Sequence, residues 1–147
     1  PSALLKAKLD DLLHQLTQAV PSRSQLPITA NLERSPQVPP EVQVAFYRVA
    51  QEALNNAVKH AEAKELTVRL EVAPPASGPQ DDGWQGQMVL HVRDDGRGFT
   101  EENHVAADSL GLGIMRERAE AIGASLSIES EPSRGTDVML TWEGSQP

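Results

Sequence analysis

The chain contains no cysteine. That excludes disulfide bridges and thiolate metal sites, and it leaves the redox compartment unmarked. Aromatic residues are 3% of the 147 residues, so any core must be aliphatic. No apolar run approaches the roughly 20 residues a membrane-spanning helix needs, and no signal-peptide pattern is present. Basic residues are also scarce, 13 Lys and Arg against 21 Asp and Glu, for a net charge of −8. Nucleic-acid backbones are neutralised by clustered Lys and Arg, so this balance argues against a nucleic-acid-binding surface. An acidic chain can still hold a small anion, because backbone N–H groups and a metal ion supply positive charge locally.

What is present suffices for one domain with a real core: 39% hydrophobic and 23% charged residues. Leu4, Leu5, Leu9, Leu12, Leu13, Leu16 and Val20 recur at helical spacing over residues 2–20, and Pro21 is expected to end that helix. Residues 26–33 read as a strand, and Pro36 with Pro39-Pro40 closes the loop after it. From about Glu41 to Ala61 a helix carries one apolar stripe of Val42, Ala45, Phe46, Val49, Ala50, Ala53, Leu54, Ala57 and Val58. Residues 65–73 alternate like a half-buried strand, 74–85 form a Pro/Gly/Ser/Asp-rich hairpin loop, and Gln87–Arg93 is a third strand. Residues 100–110 are polar and aperiodic, and are expected to form a mobile lid. A helix follows over Leu112–Ile122 with Leu112, Met115, Ala119 and Ile122 inward, stopped by Gly123. Ser125–Ser130 and Thr136–Trp142 are expected to complete a meander. Strands and helices mix without strict alternation, which predicts an α+β two-layer sandwich of about five strands, mixed but mostly antiparallel, on about three helices.

Four short motifs punctuate this pattern. Glu52-Ala53-Leu54-Asn55-Asn56 lies mid-helix, and Glu52, Asn56 and His60 fall at i, i+4 and i+8 on the edge of the apolar stripe. Asn offers a neutral oxygen suited to Mg²⁺, and a Glu one turn earlier can order a water or accept a proton. A polar edge on an amphipathic helix explains Glu52 equally well, but two adjacent Asn residues are unfavourable inside a helix. Asp94-Asp95-Gly96-Arg97-Gly98 follows an apolar strand. Locally it reads first as an Asp-Gly turn, and it lacks the ligand run and closing Glu of a calcium loop. Gly111-Leu112-Gly113 opens the late helix, either as a hinge or as an exposed set of N–H groups at a helix start that favours anions. Arg134-Gly135-Thr136 opens the last strand, where Thr136 is equally a common β-branched residue. His14, His60, His91 and His104 show no metal-ligand spacing.

In this order the motifs resemble the ATP-binding domain of sensor histidine kinases, within the superfamily shared with gyrase, Hsp90 and MutL. The runs Gln51–Ala61 and Gly111–Ala119 are similar to the nitrate-sensor and DesK-like branch, and the resemblance covers roughly residues 26–143. It implies a Bergerat-type fold and a Mg²⁺–ATP site between the Glu41–Ala61 helix, the Asp94 turn and the 100–113 segment. It assigns metal coordination to Asn56, the base role to Glu52, and phosphate contacts to Lys59, His60, Gly111, Leu112 and Gly113. Asp94 would accept a hydrogen bond from the adenine amino group, Gly96 and Gly98 would let backbone approach the ring, and Thr136 would bond adenine directly or through water. Asp95 stands where the family often has Asn, which leaves its own role open.

The implied chemistry is phosphoryl transfer to a histidine on the protein's own dimerisation domain, then relay to a response regulator. His14 has Asp10, Asp11 and Gln15 nearby, but not in the family's own acidic and Gln pattern around an acceptor. Residues 1–25 are therefore expected to be the end of a dimerisation helix with its linker, and 26–147 the catalytic domain. The acceptor and any membrane or sensory part would lie outside this chain, which the resemblance makes the cytoplasmic part of a membrane-bound or soluble homodimeric sensor kinase, with no direct membrane contact from these residues. Two alternatives remain: a serine kinase or ATPase of the same superfamily, and a nucleotide-sensing module without catalysis. The Met115–Ala119 run and the leading helix favour the histidine-kinase branch, and Glu52 with Asn56 argues against the silent module.

Overall fold

The computed structural model describes residues 7–24, 26–60, 64–73, 86–96, 111–131 and 133–144. The elements run α1 (Leu9–Ser24), β1 (Ile28–Leu32), α2 (Pro40–His60), β2 (Leu66–Ala73), β3 (Gln87–Asp94), α3 (Leu112–Ala121), β4 (Ser125–Glu131) and β5 (Gly135–Glu143). Together they form the α+β two-layer sandwich the pattern predicts, one five-stranded sheet in the order β1-β2-β3-β5-β4.

The β1–β2 pair is parallel and every other pair is antiparallel. Parallel neighbours need a crossover, and α2 supplies it. The last two strands do not continue a meander. β5 inserts between β3 and β4, so β3 pairs with β5 along eight positions from Gln87↔Glu143 to Asp94↔Thr136. This order brings the start of β5 beside the end of β3, which builds the candidate site.

α2 begins at Pro40, whose missing N–H costs nothing in a first helical turn, and the Pro39 carbonyl accepts from Val42 and Gln43. Its stripe is buried as the spacing predicts, with Phe46, Val49 and Ala50 fully buried. Val58 departs from that expectation: it is 39% exposed, at the stripe's edge. Leu66, Val68, Leu70, Met88, Leu90, Val138 and Leu140 from the sheet belong to the same core cluster as that stripe. Burying one such side chain stabilises by roughly 1.5–3 kcal/mol.

α1 does not stop at Pro21. It continues to Ser24, although the proline removes one backbone donor from the last turn. Leu9 and Leu13 are fully buried and belong to the same core cluster as Phe46. Two polar ties fix the helix: Ser35 N donates to Asp10 Oδ1 at 3.0 Å, and Gln43 Nε2 donates to the Ala7 carbonyl. α3 ends as expected at Gly123, where φ is 68°. The Gly123 and Ala124 amides return to the Glu120 and Ala119 carbonyls, a Schellman closure. The hairpin loop expected at 74–85 and the lid expected at 100–110 lie outside the described residues. Among the described residues no helix is long and apolar enough to cross a membrane.

Candidate functional site

The end of β3, the start of β5, the segment before β2, the middle of α2 and the start of α3 hold the site residues. Asp94 closes β3 and is 7% exposed, the one buried charged residue among the described residues. Gly96 N donates to Asp94 Oδ1 at 2.9 Å, so the chain turns back around the carboxylate. Burial pushes the Asp94 carboxyl above the usual carboxylate range; the Gly96 and Thr136 amides oppose that shift, and the neighbouring Asp95 charge adds to it. A buried carboxylate with acceptor capacity remaining suits an amino-group donor and rejects a carbonyl.

Thr136 is the register partner of Asp94. Its Oγ1 lies 2.9 Å from Ser130 Oγ, so the hydroxyl is oriented by β4. Gly135 decides how closely β5 approaches. A Cβ added there would stand 2.0 Å from the Asp94 carbonyl oxygen and 3.0 Å from Asp95 Cα, and φ is +92°. No other residue type fits that contact without moving the Asp94 turn. The sequence marked Gly135 as part of a motif but gave no sign of this approach, because the partner lies forty residues away.

Asp95, whose role the sequence left open, is a clamp. Its Oδ1 accepts from Lys64 N at 2.8 Å and Glu65 N at 3.1 Å. The Glu65 and Lys64 amides hold its carboxyl below the usual range. It therefore ties the segment leaving α2 to the turn that carries Asp94.

Glu52 and Asn56 are half-buried on α2, at the edge of the apolar stripe as their spacing predicts; Asn55 beside them is half-buried too, and Lys59 is exposed. The His60 side chain and Gly98 lie outside the described residues. Gly111 is the N-cap of α3 with φ 75° and ψ 14°, and it provides no side-chain cap. It packs directly on Glu52. Leu112 is 3% exposed, so its side chain serves the core and only its backbone faces the motif. Gly113 is exposed, as are Arg116 and Arg118. Uncapped amides at a helix start form an anion-binding feature in chemical terms. Among the described residues no group of three or more His, Asp or Glu could hold a metal ion, so a cation here would rely on Asn56 and on ligand oxygens.

The arrangement thus offers a buried carboxylate for a base edge and, on a neighbouring element pair, a carboxylate, an amide and a helix start for phosphates. Residues 41–146 match the family described as histidine kinase-, DNA gyrase B-, and HSP90-like ATPase. The signal transduction histidine-protein kinase/phosphatase DegS of Bacillus subtilis is 33% identical over 103 residues, 69% of this chain and 24% of that protein. The nitrate/nitrite sensor protein NarQ of Escherichia coli is 31% identical over 146 residues, 99% of this chain and 22% of that protein. The chain thus spans about a quarter or less of the curated relatives it matches. Among solved structures, the histidine kinase domain of the Erythrobacter litoralis EL346 blue-light activated histidine kinase superposes with a TM-score of 0.71 at 22% identity, covering 93% of this chain and 61% of that one. Full-length ShkA in complex with AMPPNP gives 0.66 at 18% identity, covering 92% and 30%. At these identities the structures speak for the fold.

Proposed function

The chain belongs to the family of histidine kinase-, DNA gyrase B- and HSP90-like ATPases, and on that premise we propose that it is the ATP-binding kinase domain of a two-component sensor kinase. What supports this is that its relative DegS is a signal transduction histidine-protein kinase/phosphatase and its relative NarQ a nitrate/nitrite sensor protein. In this reading residues 26–147 form the catalytic domain and 1–25 the end of a dimerisation helix with its linker. The partners are the protein's own phosphoacceptor domain, in a cytoplasmic homodimer, and a response regulator.

The observation that carries the reading is Asp94: a buried carboxylate ending β3, backed by Gly96 and flanked by Thr136. Residues and ligand fit. The carboxylate takes the adenine amino group, and guanine, with a carbonyl at that position, is refused. In this reading Gly96 lets the backbone lie against the ring, a role the motif also assigns to Gly98, and the Thr136 hydroxyl bonds the base edge. On the same reading the amides at Gly111, Leu112 and Gly113 face the phosphates, and Lys59 and His60 are assigned as phosphate neighbours. Asn56 supplies the protein oxygen for Mg²⁺, which neutralises phosphate charge when bound. Glu52, one turn before Asn56, orients the attacking group and accepts its proton.

The test is transfer from γ-labelled ATP in the full-length protein. Acid-labile label on a histidine outside residues 1–147 is expected, lost in Asn56→Ala, and reduced at least about tenfold in Glu52→Gln with nucleotide binding retained. Acid-stable label on serine would point instead to the serine-kinase alternative.

A further inference from the structure

The glycine that opens α3 is in contact with the carboxylate of Glu52. A Cβ built at Gly111 would stand 2.4 Å from Glu52 Oε2 and 3.2 Å from its Cδ, whereas one at Gly113 would meet nothing within 4 Å. The two glycines of the motif are therefore not equivalent. Gly111 carries two separable constraints. Its φ of 75° favours glycine but is tolerated by Asn. The contact with Glu52 is satisfied only by having no Cβ. The colliding atoms end a flexible side chain, so the carboxylate can swing aside at small cost to stability. What a Cβ takes away is its direction.

We propose that Gly111 is the positioning residue for Glu52: it seats the carboxylate against the first residue of α3 and so fixes its aim relative to Asn56 and the α3 amides. The proposal rests on the reading of Glu52 as proton acceptor. Gly111 thereby serves the reaction through a side chain on another helix, apart from any contact of its own amide with phosphate.

The test compares Gly111→Ala and Gly111→Asn, alone and combined with Glu52→Asp, which withdraws the carboxylate by one methylene while keeping its charge. In the full-length protein both single variants at 111 should lower kcat for phosphoryl transfer by about 10–100-fold, because misplacement of about an ångström has that effect. KM for ATP should stay within about threefold. Adding Glu52→Asp should restore part of the lost rate, although Glu52→Asp alone slows the wild type. In parallel, the side-chain carboxyl ¹³C resonance of Glu52 should move in both 111 variants, with the thermal midpoint little changed in Gly111→Asn. Equal rate losses with and without Glu52→Asp, or an unmoved Glu52 resonance, overturn the proposal. Failure of the underlying reading shows separately, as a wild-type transfer rate in Glu52→Gln, and the resonance still reports whether Gly111 seats the carboxylate.

Discussion

Two adjacent aspartates in one turn have opposite electrostatics. Asp94 is buried, and burial raises its pKa in the folded chain. The folded state then binds its proton more tightly than the unfolded state, whose value is near ~3.9. Its ionisation therefore costs stability as pH rises through the window above that value. ATP affinity should accordingly fall as the medium is acidified, beginning at a pH above the ordinary carboxylate range. Asp94→Asn should bind ATP at least about tenfold more weakly at neutral pH, with a flat pH profile, as isothermal titration at several pH values would show. A wild-type profile in Asp94→Asn would dissociate the pH effect from this residue.

Asp95 has a lowered pKa, owing first to the Glu65 amide and then to that of Lys64. Its contribution is present above the unfolded value and is lost as pH falls through its folded value. Removing it in Asp95→Ala should cost on the order of 1 kcal/mol at pH 7, modest because the group is exposed, and less in acid. Asp95→Asn keeps an acceptor for both amides and should be nearly neutral. Chemical denaturation at pH 7 and pH 3 checks both. The sequence showed that Asp94 and Asp95 were adjacent acids. It did not show that one is enclosed by a strand pair and the other capped by residues thirty positions earlier.

At the scale of elements, the junction of β3 and β5 matters most. Gly135→Ala places a Cβ against the Asp94 carbonyl at a positive φ. It should destabilise by more than about 1 kcal/mol and weaken ATP binding together, since the site and the strand pair share that contact. A variant that keeps full ATP affinity would refute this coupling. α1 shares the core: Leu9 and Leu13 are fully buried in the same cluster as Phe46. Leu13→Ala should cost about 2–5 kcal/mol in thermal or denaturant unfolding, the range for a fully buried leucine. Unchanged stability would mean that α1 is not part of the folded unit.

The periodicities of α2 and α3, the alternation of β2 and β3, and the Gly123 stop were legible because they are local. The insertion of β5 between β3 and β4 was not, since antiparallel register over a long separation leaves no local pattern. Pro21 misled in the other direction: one missing donor near the end of α1 is outweighed by the packing of Leu9 and Leu13.

For the whole molecule, the order of the motifs was legible in the sequence, and the structure adds how the described ones are joined. Glu52 touches the start of α3, Asp95 binds the segment leaving α2, and Thr136 lies opposite Asp94. The chain alone should not label His14 with phosphate from ATP. That residue is exposed on α1, and its Nε2 is 3.1 Å from Gln18 Nε2.

The central claim, that Asp94 makes this an adenine-nucleotide site, is tested most directly by calorimetry of the chain with Mg²⁺-ATP and Mg²⁺-GTP, in wild type and in Asp94→Ala. The account predicts saturable binding of ATP, GTP weaker by at least about tenfold, and loss of ATP binding in Asp94→Ala with the thermal midpoint retained. Equal affinity for GTP, or undiminished ATP binding by Asp94→Ala, would contradict it.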